Sequence, residues 1–175
     1  MLKRMNRGYT REWYLDRIAA IKRILPDCAL STDIITGFCG ETEQEHAETM
    51  SILKEVGYIM AYNFKYSERP RTLAERKYED DVPEEVKSAR LTEIIKYQRS
   101  YAAVLTQAMV GKVYKVLVEG VSKKSADKYY GRTTHNTVMI FDKGDLKLCD
   151  YVNVRAIDCT SATLIGEVTT DQAVA

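Results

Sequence analysis

Apolar positions along the chain keep one period, lose it, and then take up another. In residues 11–25, Tyr14, Ile18, Ile21 and Leu25 fall on a single helical stripe, with Thr10 placed to cap the start and Pro26-Asp27 placed to stop it. Ala29 to Thr36 then carries few charges, which predicts a strand covered on both faces. A second helix is expected from Thr42 to Val56. Thr42-x-x-Glu45 forms a capping box at its start, Ala47, Met50, Leu53 and Val56 face inward, and Gly57 ends it. Tyr58 to Tyr66 reads as another strand, so the order α-β-α-β predicts a parallel sheet with right-handed crossovers. Two parallel strands do not close a sheet. This half is therefore expected to be the tail of a larger α/β domain, with an open strand edge that invites aggregation.

Residues 67–82 form a charged stretch expected to be loop, ending at Asp81 as a possible cap before Pro83. The helix that follows is expected to run to about Met109 and to bridge two domains. Val86, Leu91, Ile94 or Ile95, Gln98, Ala102 and Leu105 lie near one face of it. From Gly111 the period switches to two, with Val113, Lys115, Leu117 and Glu119 alternating against Tyr114, Val116 and Val118. Further strands are expected at Tyr129–Thr133, Thr137–Phe141, Tyr151–Ile157 and Thr163–Val168. Five short antiparallel strands suggest a small barrel of the oligonucleotide-binding kind. The division expected is thus 1–82 for the α/β part, 83–109 for the linking helix, 110–168 for the barrel and 169–175 for a frayed tail.

Totals change this picture little. A net charge of +1 over 175 residues gives no argument from bulk basicity for a nucleic-acid partner. No apolar run approaches the roughly 18 residues of a membrane span, and no apolar segment follows the basic start, so neither a membrane nor a secretory signal is expected. Cys28, Cys39, Cys149 and Cys159 include no C-x-x-C pair, which argues against a zinc site or disulfide framework and for a reducing, cytoplasmic setting. No nucleophilic triad is legible around His46 or His135.

Two stretches could carry function. In Ser31–His46 a strand runs into Gly37 and Gly40 and then a helix N-terminus, the edge where α/β proteins hold small ligands. Glu41 stands at that helix mouth, where a carboxylate could accept from a ligand or simply complement the helix dipole. On the barrel, Lys123, Lys124, Lys128, Arg132, His135 and Asn136 are interleaved with Tyr129 and Tyr130, the cations and rings of a single-strand or RNA-loop binder. Residues 111–175 hold nine basic and eight acidic side chains, so any such patch is local.

Five stretches in order carry a resemblance: MNRGYT (5–10), STDIITGFCGETEQEH (31–46), FKYSERPRT (64–72), DDVPEEVK (80–87) and DCTSATLIGEV (158–168). Together they resemble the carboxyl-terminal part of the radical-SAM methylthiotransferases, most nearly the MiaB type that acts on isopentenyl-adenosine in tRNA. The resemblance implies the last units of a radical-SAM barrel, a linking helix and an RNA-gripping TRAM barrel. It implies S-adenosylmethionine and 4Fe-4S clusters as cofactors of the parent enzyme, and a tRNA anticodon stem-loop as partner of a monomer. Gly37, Gly40, Glu41 and Arg7 would then approach the cofactor, and Lys123, Lys124, Lys128, Tyr129, Arg132 and Asn136 the RNA. The family's cluster-binding C-x-x-x-C-x-x-C does not occur, so no catalytic or metal-binding residue is assigned and the chain alone is expected to be inactive. Alternatives are a stand-alone RNA-binding module, and a piece of the sister enzymes that modify a ribosomal-protein aspartate. Cys39 replaces the family's usual proline, while Arg71 and Cys149 replace usual glycines, so the turns at 71 and 149 need not adopt positive φ.

Overall fold

Thr10 starts the first helix as its side chain predicts: its hydroxyl accepts the Trp13 N–H at 3.3 Å, and α1 runs Arg11–Ile24. The computed structural model describes residues 1–173 and places them in two compact units, Met1–Gln98 and Arg99 onward. In the first unit β1 (Ser31–Thr36) leads to α2 (Glu43–Val56), whose capping box is complete and which Gly57 ends at φ 70°. β2 (Met60–Lys65) then pairs with β1 in parallel, from Ser31 opposite Met60 to Thr36 opposite Lys65. Ile18, Met50, Leu53, Val56, Tyr58 and Ile94 form the core, with Tyr14, Leu30 and Ile34 packed against it.

Three expectations for this unit are corrected. β1 is covered on one face only. The opposite face carries Asp33, Ile35, Tyr62 and Phe64, and the last two are 56% and 53% exposed. These residues stay largely exposed, so a low charge count marked the strand but not what covers it. In α2, His46 rather than Ala47 faces inward; Ala47 is exposed, and the imidazole is accommodated by a 3.0 Å contact from Nε2 to Glu93. The charged loop also contains a short helix, α3 (Leu73–Lys77), in which Thr72 accepts the Glu75 N–H. The T-x-x-E spacing that announced α2 is present there too.

Helix α4 (Glu84–Gln107) spans the boundary between the units. Its buried positions in the first unit are Lys87, Arg90, Ile94 and Gln98, a helical seam that begins with two cations. Val86 and Leu91, expected on that face, are only half-buried. Asp81 does not cap this helix; its carboxylate is used elsewhere.

In the second unit β3 (Val113–Val121), β4 (Lys128–Thr133), β5 (Val138–Asp142), β6 (Tyr151–Cys159) and β7 (Thr163–Val168) close a barrel in the order β3-β4-β5-β7-β6. The barrel is mixed rather than wholly antiparallel, because β6 crosses to pair with β3 and β7 returns between β6 and β5, which makes β5 and β7 parallel. Tyr114, Val116, Val118, Tyr129, Met139, Phe141, Val154, Ala156 and Leu164 fill it. Gly131 is required by close approach: a Cβ there would stand 2.1 Å from the Leu117 carbonyl oxygen on β3. The turns at Arg71 and Cys149 do adopt positive φ, 68° and 71°, against expectation. The surrounding turn fixes the backbone, and the side chain bears the strain. Thr169 donates its N–H to Asn153 at 2.9 Å and Asp171 pairs with Arg155, so the start of the expected frayed tail is tied to the barrel. Residues 174–175 of that tail lie outside the described residues. No helix among the described residues is long and apolar enough to cross a membrane.

Candidate cofactor loop and nucleic-acid interface

The loop between β1 and α2 is fastened from every side. Gly37 and Gly40 turn the backbone at φ 73° and 72°. The Glu41 side chain, 3% exposed, accepts from the Gly37 N–H at 2.7 Å, the Thr36 hydroxyl at 3.2 Å and Arg90 Nη1 at 2.8 Å. Arg90, itself buried, also donates to the Glu41 carbonyl at 3.0 Å and to Glu43 at 2.5 Å. Asp81 accepts the Gly40 N–H at 2.5 Å, and Arg4 Nη1 donates to the carbonyls of Cys39 and Gly40. Lys87 lies across Gly37, where a Cβ would stand 2.4 Å from its Cγ, and its Nζ contacts both Asp80 oxygens at 2.6 Å. Phe38 packs edge-on against Tyr66, and burial, together with the neighbouring Cys39, pushes the Tyr66 hydroxyl up to about 12.

The structure therefore brings Gly37, Gly40 and Glu41 together, and it turns their polar atoms inward. Both glycine N–H groups and the Glu41 carboxylate are satisfied within the chain, so this loop offers a ligand its shape and not free donors. Arg7 is exposed and does not reach the loop; it lines, with Glu41, Tyr9, Tyr14, Asp33 and Tyr58, a cleft of about 700 Å³ beside β1. Of the basic residues at the start of the sequence, Arg4 reaches the loop, and nothing there singles it out from Arg7. Lys87 and Arg90 were missed because charged side chains on a predicted helix read as its wet face. Among the described residues no group of three or more His, Cys, Asp or Glu side chains could hold a metal ion, and all four cysteines are free.

On the barrel the expected RNA residues separate. Lys123 and Lys124 are exposed in the β3–β4 loop. Lys128 pairs with Asp142 at 2.6 Å, and Arg132 with Glu119 at 3.3 Å and with Asn136 Oδ1 at 3.0 Å. Tyr129 is not on the outer face: at 5% exposure it belongs to the core, because Tyr129, Gly131 and Thr133 are the inward positions of β4. The outward ring of that strand is Tyr130, half-buried opposite Ile140. His135 rests edge-on against Tyr114.

A family description, TRAM domain, matches residues 107–169, from the last residue of α4 through the whole barrel. A tRNA-2-methylthio-N(6)-dimethylallyladenosine synthase of Bacteroides thetaiotaomicron is 56% identical over 167 residues, 95% of this chain and 37% of that protein. Synthases of the same name from Porphyromonas gingivalis (strain W83) and Chloroherpeton thalassium are 51% and 50% identical, over 96% and 95% of this chain and 36% and 37% of theirs. The chain is thus similar to one part of these synthases. It spans about a third of the length of these relatives, matching their carboxyl-terminal part with its TRAM domain. A match over 95% of the chain takes in both units.

Proposed function

We propose that the chain is the RNA-holding, carboxyl-terminal part of a tRNA methylthiotransferase that adds a methylthio group to dimethylallyl-adenosine beside the anticodon. The observation that carries this reading is the 56% identity to a synthase so named across 95% of the chain, TRAM barrel included. In this reading the barrel grips the anticodon stem-loop, and the parent enzyme is a cytoplasmic monomer that uses S-adenosylmethionine and 4Fe-4S clusters for radical chemistry. Among the described residues the cysteines are dispersed and do not make up a cluster site. Toward S-adenosylmethionine, Gly37, Gly40 and Glu41 act as positioning residues that hold the end of β1 in a fixed shape, while the free cation of Arg7 approaches the ligand directly.

The test is a chimera. The matching segment of the Bacteroides thetaiotaomicron synthase is replaced by this chain, and nucleosides from tRNA of a strain lacking its own synthase are analysed by mass spectrometry. Recovery of the 2-methylthio nucleoside is expected. A folded, cluster-loaded chimera that forms none would sink the reading.

A further inference from the structure

The barrel has a second outward face, on β3 and β6, where none of the RNA residues proposed from the sequence lies except Arg132 at its margin. Tyr151 begins β6 with 66% of its surface exposed, although it sits directly opposite Leu117 within a ladder of paired strands. Lys115, diagonal to it on β3, places Nζ 5.0 Å from the centre of its ring. Leu117 is in turn opposite Arg132 on β4, so ring, methyl groups and guanidinium form one row across three strands. Among the described residues Lys115 is paired with no carboxylate, whereas Lys128, Arg132 and Arg155 each are. An exposed flat ring with an unneutralised cation over it, flanked by an aliphatic floor, suits a polyanion whose bases are unstacked. Near the Lys123–Lys124 loop the tyrosines are less available, since Tyr129 is inside and Tyr130 is half-buried against Gly120.

We propose that the Lys115–Tyr151 platform is where the TRAM barrel stacks an unpaired base of looped RNA, with Arg132 and the β3–β4 lysines holding phosphates to one side. The proposal rests on the RNA-holding reading above and adds its location. Lys115 sits over the tyrosine ring in the free protein, moves aside to a phosphate when a base arrives, and leaves the ring face to the base.

The test uses the full chain and a fluorescein-labelled RNA hairpin with a seven-nucleotide adenosine-rich loop, read by anisotropy over a salt series. A blunt duplex of the same stem is the control. Tyr151→Ala is expected to weaken hairpin binding by about tenfold or more at constant salt slope, and Tyr151→Phe to keep it near wild type. Lys115→Gln is expected to weaken binding a few-fold and to flatten the salt slope by about 0.7. Circular dichroism melts of the variants control for folding, and Tyr151 is exposed enough for its loss to leave them unchanged. Equal binding by wild type and a folded Tyr151→Ala, with Lys123→Ala/Lys124→Ala abolishing it, would overturn the platform and leave the RNA-holding reading standing. No hairpin binding by the wild-type chain at low salt would overturn both.

Discussion

Both units have an apolar core, but among the described residues only the first adds a buried charged fastening to it. The barrel leaves no strand unpaired, and it fills its interior with apolar side chains and two tyrosines. The first unit stops at two strands, leaves one sheet face bare, and commits two buried cations to fastening a single loop. In the barrel, stability is spread over many methyl and ring contacts. In the loop it rests on a few charged groups, and removing either member of the Arg90–Glu41 pair leaves its buried partner stranded. Burial thus means packing throughout the barrel, and packing joined by mutual neutralisation at one loop in the first unit.

The sharpest way to break that contrast is to delete one group from each side. Arg90→Ala is expected to cost the first unit about 3–5 kcal/mol, because the Glu41 carboxylate stays buried without its cation. Phe141→Ala, at 0% exposure, is expected to cost the barrel about 3–5 kcal/mol as a cavity. In urea unfolding followed by circular dichroism each should lower its own unit's transition. Equal displacement of both would show that the units do not unfold separately and would end the comparison.

A smaller effect has the opposite sign. Cys149→Gly relieves a positive φ of 71° on an exposed barrel turn and is expected to raise the barrel's stability by about 1 kcal/mol, seen as a higher melting temperature. Unchanged melting would mean that the turn carries no strain worth removing.

Smaller still is the acid response of α2. Burial pushes the Glu45 carboxyl up, but the Thr42 N–H, the Met1 amino group and the Thr42 hydroxyl outweigh it, so the group lies below its ordinary 4.5. Its folded value being the lower one, its contribution is in place above about pH 4.5 and is lost as pH falls through the folded value. Wild type should therefore lose more melting temperature than Glu45→Gln between about pH 5 and 3. Parallel acid curves would remove Glu45 from the account.

The least costly change should be on the bare sheet face. Tyr62→Thr with Phe64→Thr is expected to alter stability by less than about 0.5 kcal/mol while reducing self-association in light scattering. A loss of several kcal/mol would show that this face is packed after all.

Sequence pattern made the barrel legible almost strand by strand, because one buried face imposes strict alternation on Tyr114, Val116 and Val118. It gave α1 and α2 through their caps, Thr10 and Thr42, which are local signals. It misplaced what depends on distant partners. His46 could be read as inward only once Glu93 was known to meet it, and Tyr129 as core only once β4 was in register with β5. The loop was located by its glycines, yet its fastening by Arg4, Lys87 and Arg90 joins segments far apart in the chain, and no periodicity encodes such a meeting. The parallel β5–β7 pair was hidden for the same reason: alternation fixes which side faces in, not which neighbour a strand takes.

The contact between Gly131 and the Leu117 carbonyl has a consequence of its own. With 2.1 Å available to any added carbon, the girth of the barrel at this point is set by a hydrogen atom. An alanine at 131 would pry β4 from β3 at the very pair where Arg132 is held against Leu117. The outer residues of the barrel are free to drift and retune what it holds, but this position is not. A library of variants selected only for folding should come back nearly blank there.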